Sequence, residues 1–259
     1  YWDRSLSVTD TELLIATDCF GACGDCIGGC TDQNALNYDE NANTDDGSCE
    51  FEEVEAANLF FSEYAEGSSN NKYLEIYNGS GIDVDLSGYS LSSCSNGCND
   101  GLSWDYPDNV TFENGTTLLS GDVYIVCHGS ADETIQSECD QTFTYLSNGD
   151  DVFALTQLGS GNIIDIIGTI GDDPGTGWDV AGVENGTQNH TLLRKSSVET
   201  GNNGNWELSA GTNVDDSEWV VLDQDDWTNI GCHIITCQTE TILGCLDDNA
   251  TNYDPNATE

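Results

Sequence analysis

Apolar and polar residues alternate with period two through much of the middle of this chain. In Tyr73-Leu74-Glu75-Ile76-Tyr77, Leu74 and Ile76 share one face and Glu75 takes the other. In Ile82-Asp83-Val84-Asp85-Leu86 the apolar residues are expected to point inward and the aspartates outward, because successive side chains of a strand leave on opposite faces. Val123-Tyr124-Ile125-Val126-Cys127 and Val152-Phe153-Ala154-Leu155 are short unbroken apolar runs, the pattern of central strands covered on both sides. Ile163–Ile167, Leu192-Leu193 and Trp219–Leu222 complete the set. Gly, Asn, Asp and Ser turns separate these runs, and helical periodicity is scarce. Many short strands at this spacing predict an all-β fold, a β-sandwich over residues 57–235.

The two ends have a different texture, and they resemble each other. Residues 29–44 and 244–259 align at an offset of 215, with ten of sixteen positions identical. The first copy runs on through Asp45-Asp46-Gly47-Ser48-Cys49, whereas the second stops short of that closing segment. Four parts follow: residues 1–28, a strand segment and Cys-rich knot; 29–56, a repeat and the acidic linker Glu50–Glu55; 57–235, the sandwich; and 236–259, a linker and a truncated second repeat. Ser5–Thr9 and Leu13–Ala16 read as one or two short strands without a local partner.

The repeats carry the most specific chemistry. Asp39, Asn41, Asn43 and Asp45 alternate with period two and are followed by Asp46 and Gly47. Calcium takes six to eight hard oxygen ligands from carboxylates, amide carbonyls and backbone oxygens. An oxygen-bearing residue at every second position, then a turn-permitting glycine, lets a short loop wrap such an ion. Asp32 and Asn34 are candidates to add ligands from the start of the first repeat, and Asp247, Asn249, Asp254 and Asn256 occupy the matching positions of the second. The competing account is that Asp/Asn/Gly runs are solvated turn formers; recurrence of the spacing favours Ca2+ in the repeats. For Asp172-Asp173, Asp215-Asp216 and Asp223-Gln224-Asp225-Asp226 the turn account is preferred. A bridge between Cys30 and Cys49 would close the loop and contribute about 3 kcal/mol.

Charge sharpens this picture. Against 48 acids stand four bases, Arg4, Lys72, Arg194 and Lys195, for a formal net charge of −44. Such a chain repels itself unless counter-ions neutralise part of the charge. Nucleic acid is excluded as a partner, since phosphate binding needs a cationic footprint, and an anionic membrane surface is excluded likewise. Disorder does not follow, because 37% of residues are apolar and they include six Trp, ten Tyr and seven Phe. No run of eighteen apolar residues exists, so no membrane-spanning helix is expected.

Twelve cysteines (Cys19, Cys23, Cys26, Cys30, Cys49, Cys94, Cys98, Cys127, Cys139, Cys232, Cys237 and Cys245) in so acidic a chain point to secretion and disulfides. The chain opens on Tyr1 and has no Met, as expected after removal of a signal peptide. Cys19, Cys23, Cys26 and Cys30 have spacing that suits zinc or an iron–sulfur cluster, but an oxidising compartment and the competing disulfide role of Cys30 favour bridges. Cys127 is expected to pair with Cys139, and the repeat partner of Cys245 would lie beyond the last residue. Seven N-x-S/T sequons, at Asn78, Asn109, Asn114, Asn185, Asn189, Asn249 and Asn256, are candidate glycosylation sites.

No catalytic constellation emerges. His128, His190 and His233 fit no nucleophile elbow or metalloprotease helix, and so many carboxylates make any acid pair uninformative. Lys72 and Arg194 are expected to form structural ion pairs. Trp104, Tyr106 and Trp178 are candidates for an exposed aromatic face, with core or loop packing the preferred account.

The central region resembles the lamin-tail domain, an immunoglobulin-like sandwich. The resemblance rests on Phe61-Ser62-Glu63-Tyr64, Glu66–Lys72, Leu74–Asn78, Val84–Tyr89, Asn148–Asp151, Leu192–Lys195 and Asp226–Gly231. The flanking repeats are similar to thrombospondin type 3 calcium repeats. The resemblance implies a binding or structural module rather than an enzyme. Together these readings lead to the expectation of a secreted, calcium-stabilised subunit that links copies of itself head to tail into a surface filament or adhesive stalk. The rival expectation is a monomeric accessory module that recognises glycans or another surface.

Overall fold

The computed structural model describes residues 27–31, 35, 37–49, 58–98, 101–171 and 173–233. The chain divides between Glu55 and Ala56 into two compact units, and each is described by itself. In the first, β1 (Gly28–Gly29) pairs in parallel with β2 (Thr44–Asp45). The Cys30–Cys49 disulfide closes the intervening loop, and Asp39 N–H donates to the Cys30 carbonyl at 3.0 Å.

The second unit is a β-sandwich. One sheet has six strands: β3 (Leu59–Glu66), β4 (Lys72–Asn78), β9 (Val123–Cys127), β10 (Gln141–Thr142), β13 (Thr191–Arg194) and β14 (Trp219–Leu222), in the order β10-β9-β4-β3-β13-β14. The facing sheet has four: β6 (Tyr89–Cys94), β7 (Tyr106–Thr111), β11 (Val152–Gln157) and β12 (Ile163–Ile167), in the order β12-β11-β6-β7. A ribbon of β5 (Val84–Asp85) and β8 (Thr117–Leu118) completes it. The core holds Leu59, Phe61, Leu74 and Ile76 from one sheet and Leu91, Phe153 and Leu155 from the other. The all-β sandwich expected from period-two alternation is the fold observed.

Three local departures have physical causes. Ile82–Leu86 is not the alternating strand expected: only Val84 and Asp85 are strand, Ile82 is 68% exposed, and Leu86 enters a short 3-10 turn whose N-cap, Asp85, accepts from Ser87 N–H. Second, two helices form, α1 (Glu133–Glu138) and α2 (Trp206–Ala210). Asp132 and Asn205 cap them by accepting from Thr134 and Leu208 amides, the ordinary role of short polar side chains at a helix start. Third, the outer face of the six-stranded sheet is covered. Ala65, Tyr73, Ile125 and Cys127 form a second apolar cluster there with Ile135 of α1, against which Trp227 and Ile230 pack. Glu75 therefore lies on the face opposite Leu74 and Ile76, as expected, and is nonetheless buried.

Candidate functional site

In the first unit the predicted ligands bend the loop by local hydrogen bonds. Asp39 Oδ1 accepts from Asn41 N–H at 2.9 Å, Asp45 Oδ1 from Gly47 N–H at 3.0 Å, and Asp46 Oδ1 from Ser48 N–H at 3.0 Å. These are Asx turns, in which a side chain reaches the amide two residues on. The bonds from Ser48 hold the Asp46 carboxyl below its usual range. Gly47 has φ +76°, the left-handed conformation that a glycine adopts without strain. Asn43 Oδ1 accepts from Ile27 N–H at 3.0 Å, which ties β2 to β1. A Cβ on Gly28 would lie 3.4 Å from Asp46 Oδ2, and one on Gly29 3.5 Å from Asp39 Oδ2. Neighbouring strand residues face opposite ways, so these two carboxylates flank β1 from opposite sides. Among the described residues no group of three or more His, Cys, Asp or Glu side chains could hold a metal ion. Asp32, Asn34, Asp247, Asn249, Asp254 and Asn256 lie outside the described residues, as do Cys19, Cys23, Cys26, Cys237 and Cys245.

The sandwich uses its charges differently. β3 carries a bulge between Phe61 and Glu63, which frees the Phe61 amide from the ladder. Asp165, from β12 of the opposite sheet, accepts that amide at 2.8 Å and the Asn202 amide at 2.9 Å. Arg194, fully buried, pairs with Asp165 at 3.0 Å and with Glu218 at 2.8 Å. Its guanidinium carbon sits 4.6 Å from the centre of the Trp219 ring, a cation–π contact. Burial pushes the Asp165 carboxyl up, against the opposing pull of Arg194 and the two amides. Lys72 Nζ pairs with Glu66 at 2.6 Å and donates to the Ser147 carbonyl, while Lys195 Nζ donates to the Val214 and Ser217 carbonyls. The expectation of structural ion pairs at Lys72 and Arg194 holds. All three bases among the described residues thus bind the protein's own groups.

On the outer face of the six-stranded sheet Glu63 and Glu75 are cross-strand partners. Tyr73 O–H donates to Glu63, and Glu75 accepts from Ser62 Oγ and Gly231 N–H. Burial and the neighbouring Glu75 push the Glu63 carboxyl well up, and burial pushes Glu75 to about 7. Glu63 Oε2 and Trp227 Nε1 are buried without a partner.

The remaining predicted residues divide by environment. The Cys127–Cys139 bridge is present, Cys94 pairs with Cys98, and Cys232 is disulfide-bonded. The bridge removes Cys127 from any pairing with His128, whose Nδ1 accepts from Ser130 N–H. His190 Nδ1 contacts the Gln188 carbonyl at 2.7 Å. His233 packs against Phe60 and Tyr77, and burial lowers its pKa to about 4. Asn78 is buried, with its side-chain amide donating to the Ile82 and Leu118 carbonyls; the fold uses it as a turn clamp. Asn114 and Asn189 are exposed, Asn185 is half-buried, and Asn109 donates to Ser93 Oγ. Trp104 and Trp178 pack against the core; a Cβ on Gly168 would fall 2.7 Å from the Trp178 ring. Tyr106 alone of the three aromatic candidates is open to solvent.

Two features escaped the sequence reading. The first is the outer edge of β14. Lys195 N–H donates to the Glu218 carbonyl, and alternate residues bond in an antiparallel ladder, so Val220 and Leu222 face β13. The N–H and C=O of Val221 then point away, and among the described residues no strand pairs there. The second is a cleft of about 250 Å³ where Ser93 lies opposite Tyr106 and Phe153, with Tyr145 also in its lining. A sheet edge has no periodicity signal, and the cleft joins residues up to 60 positions apart.

The class of protein that this architecture defines is an immunoglobulin-like β-sandwich with disulfide staples. Within it, residues 53–171 match the Lamin Tail Domain family; β13 and β14, which complete the six-stranded sheet, lie beyond the match. Among solved structures, the chain aligns with the 2.50 Å crystal structure of a DUF4876 family protein from Bacteroides thetaiotaomicron VPI-5482, at a TM-score of 0.36 and 12% identity. That alignment covers 66% of this chain and 68% of the other, and nothing is built on it. None of the curated proteins matches the chain. The fold is compatible with a non-enzymatic binding or structural domain. The three disulfides with both partners described fit an oxidising environment. No helix among the described residues is long and apolar enough to cross a membrane.

Proposed function

We propose that this chain is a non-enzymatic extracellular structural protein, a subunit that joins copies of itself head to tail into a surface filament or adhesive stalk, with calcium stiffening its repeats. The observation that carries the reading is the outer edge of β14, with which no strand pairs among the described residues. Unpaired N–H and C=O groups on an edge strand are a template for a strand from another chain. Ser5–Thr9 alternates apolar and polar residues and is the candidate donor. A donor at one end of the chain and an acceptor edge elsewhere make a heterologous contact, which propagates into a fibre when it does not close. In the repeat, Asp39, Asn41, Asn43, Asp45 and Asp46 are the candidate calcium ligands among the described residues, although as placed their carboxylates do not converge on one point. Asp32 and Asn34 are the candidates to complete the shell.

The test is electron microscopy of the purified protein with calcium and with excess chelator, beside two edge variants. Val221→Pro removes an amide that faces away from β13, and Val220→Lys places a charge at a side chain that is 38% exposed. The reading expects filaments in calcium that shorten in chelator, and monodisperse particles with either variant at an unchanged melting temperature. Monodisperse wild-type particles in both conditions would contradict the polymer. They would favour the second reading, a monomeric binding module, for which the Tyr106/Tyr145 cleft is the supporting observation.

A further inference from the structure

We infer that the cleft at the Cys94 end of β6 is a binding site for a single ring of a neutral saccharide. Its walls combine two kinds of surface that a sugar requires together. Tyr106 is 49% exposed and Tyr145 79% exposed, and both line the cleft. Exposed tyrosine rings offer rigid apolar faces with a polar tip, suited to a ligand with one apolar face and a polar rim. The Tyr145 ring centre lies 6.0 Å from that of Phe143 in a T-shaped pair, and the side chain stays largely open to solvent. The same cleft is lined by Ser93, Asn109 and Asp151, a hydroxyl, an amide and a carboxylate that together can donate to and accept from a ring of hydroxyls.

The polar groups are fixed before any ligand arrives. Asn109 donates to Ser93 Oγ at 2.8 Å, which fixes the orientation of its amide. Asp151 accepts from Asn96 N–H at 3.0 Å and from Asn148 N–H at 3.3 Å. The Cys94–Cys98 disulfide holds the rim, and Phe153, 1% exposed, forms a rigid floor. Groups held in place lose little entropy on binding.

Size and charge narrow the ligand. A volume of about 250 Å³ lies just below the roughly 300–1,000 Å³ of sites for drug-sized molecules, so the fit is to one ring, a chain end or a branch. Anionic sugars are opposed by a net charge of −44. A quaternary ammonium would match that charge and the tyrosine faces, so the choice between the two ligands rests on the neutral polar groups. Hydroxyl and amide groups such as Ser93 and Asn109 give such a cation nothing, whereas a polyol uses them.

The experiment is isothermal titration and NMR of the full chain, produced without N-glycans because Asn109 is itself in a sequon. The probes are methyl glycosides of glucose, galactose, mannose and N-acetylglucosamine, with methyl glucuronate and choline as comparisons. The inference expects millimolar or tighter binding of at least one neutral glycoside and weaker binding of glucuronate than of glucose. Tyr145→Ala, at a solvent-exposed position, should weaken the bound glycoside about five-fold or more. Tyr106→Ala should do the same by an independent route. Binding of choline alone, binding of no neutral glycoside, or glycoside affinity indifferent to both substitutions would each overturn it.

Discussion

The carboxylates of the first repeat and those of the sandwich are the same chemical group put to opposite uses. In the repeat, Asp39, Asp45 and Asp46 are exposed or half-exposed and each accepts an amide two residues ahead. In the sandwich, Asp165 is fully buried and accepts from an amide 104 residues away while pairing with Arg194 across the core. The first arrangement shapes a turn and leaves the charge in water; the second joins two sheets and places the charge where its removal leaves an uncompensated partner. An acidic chain can thus fold by keeping acids local and solvated, by pairing its few bases internally, or by burying carboxyls so that they hold their protons to higher pH.

The sharpest way to break this contrast is at Arg194. Arg194→Met leaves Asp165 buried and unpaired, with an expected loss of about 3–5 kcal/mol in urea unfolding. Arg194→Met combined with Asp165→Asn should recover much of that loss. A loss below about 1 kcal/mol in the single variant would show that the sheets do not depend on this pair. Next in size is the staple on the outer face: replacing Cys127 and Cys139 together by Ala opens a loop of sequence separation 12 and should cost about 3 kcal/mol, read as a lower melting temperature.

The third effect concerns neutralised acids. Glu75 is raised from 4.5 to about 7 by burial, so the folded protein holds this proton over a range where the unfolded chain has lost it. Its contribution to stability is fully present below pH 4.5 and declines as pH rises through about 7, by up to about 3 kcal/mol. Glu75→Gln should flatten this decline, and denaturation midpoints from pH 5 to 9 check it. A slope unchanged in the variant would show that Glu75 ionises freely in the fold. Smallest is the repeat: without calcium, Asp45→Ala should change stability by less than about 0.5 kcal/mol, as for other exposed positions.

How legible each region was follows from the same distinction. Leu74 and Ile76, Val152–Leu155 and Trp219–Leu222 are strands because alternation and apolar runs are local signals, and the Cys30–Cys49 bridge follows from two cysteines bracketing one loop. Lys72 and Arg194 were read as ion-paired from the scarcity of bases, although the partner Asp165 was not named. β7 was invisible: Pro107 and Asp108 are poor strand residues, and Asp108 sits at φ +49°. The burial of Glu63 and Glu75 depends on Trp227, Ile230 and Gly231, more than 150 residues further on, and no window of sequence contains both. Ile82 misled for the converse reason, since the alternation already runs through it before the ribbon begins at Val84. The cleft is likewise assembled by register, which places Ser93 opposite both Tyr106 and Phe153. One local clue was available in Phe143-Thr144-Tyr145, an alternating pair of aromatics.

The most direct test of the account is calorimetry of the full chain in calcium and in excess chelator. The account predicts that chelator lowers the stability of residues 27–49, followed by hydrogen exchange of the Gly47 and Ser48 amides, while the sandwich melts at the same temperature in both conditions. A fall of several degrees in the sandwich transition on chelation would contradict it, because the buried ion pairs and the buried carboxyls would then not suffice to hold the sheets together without calcium.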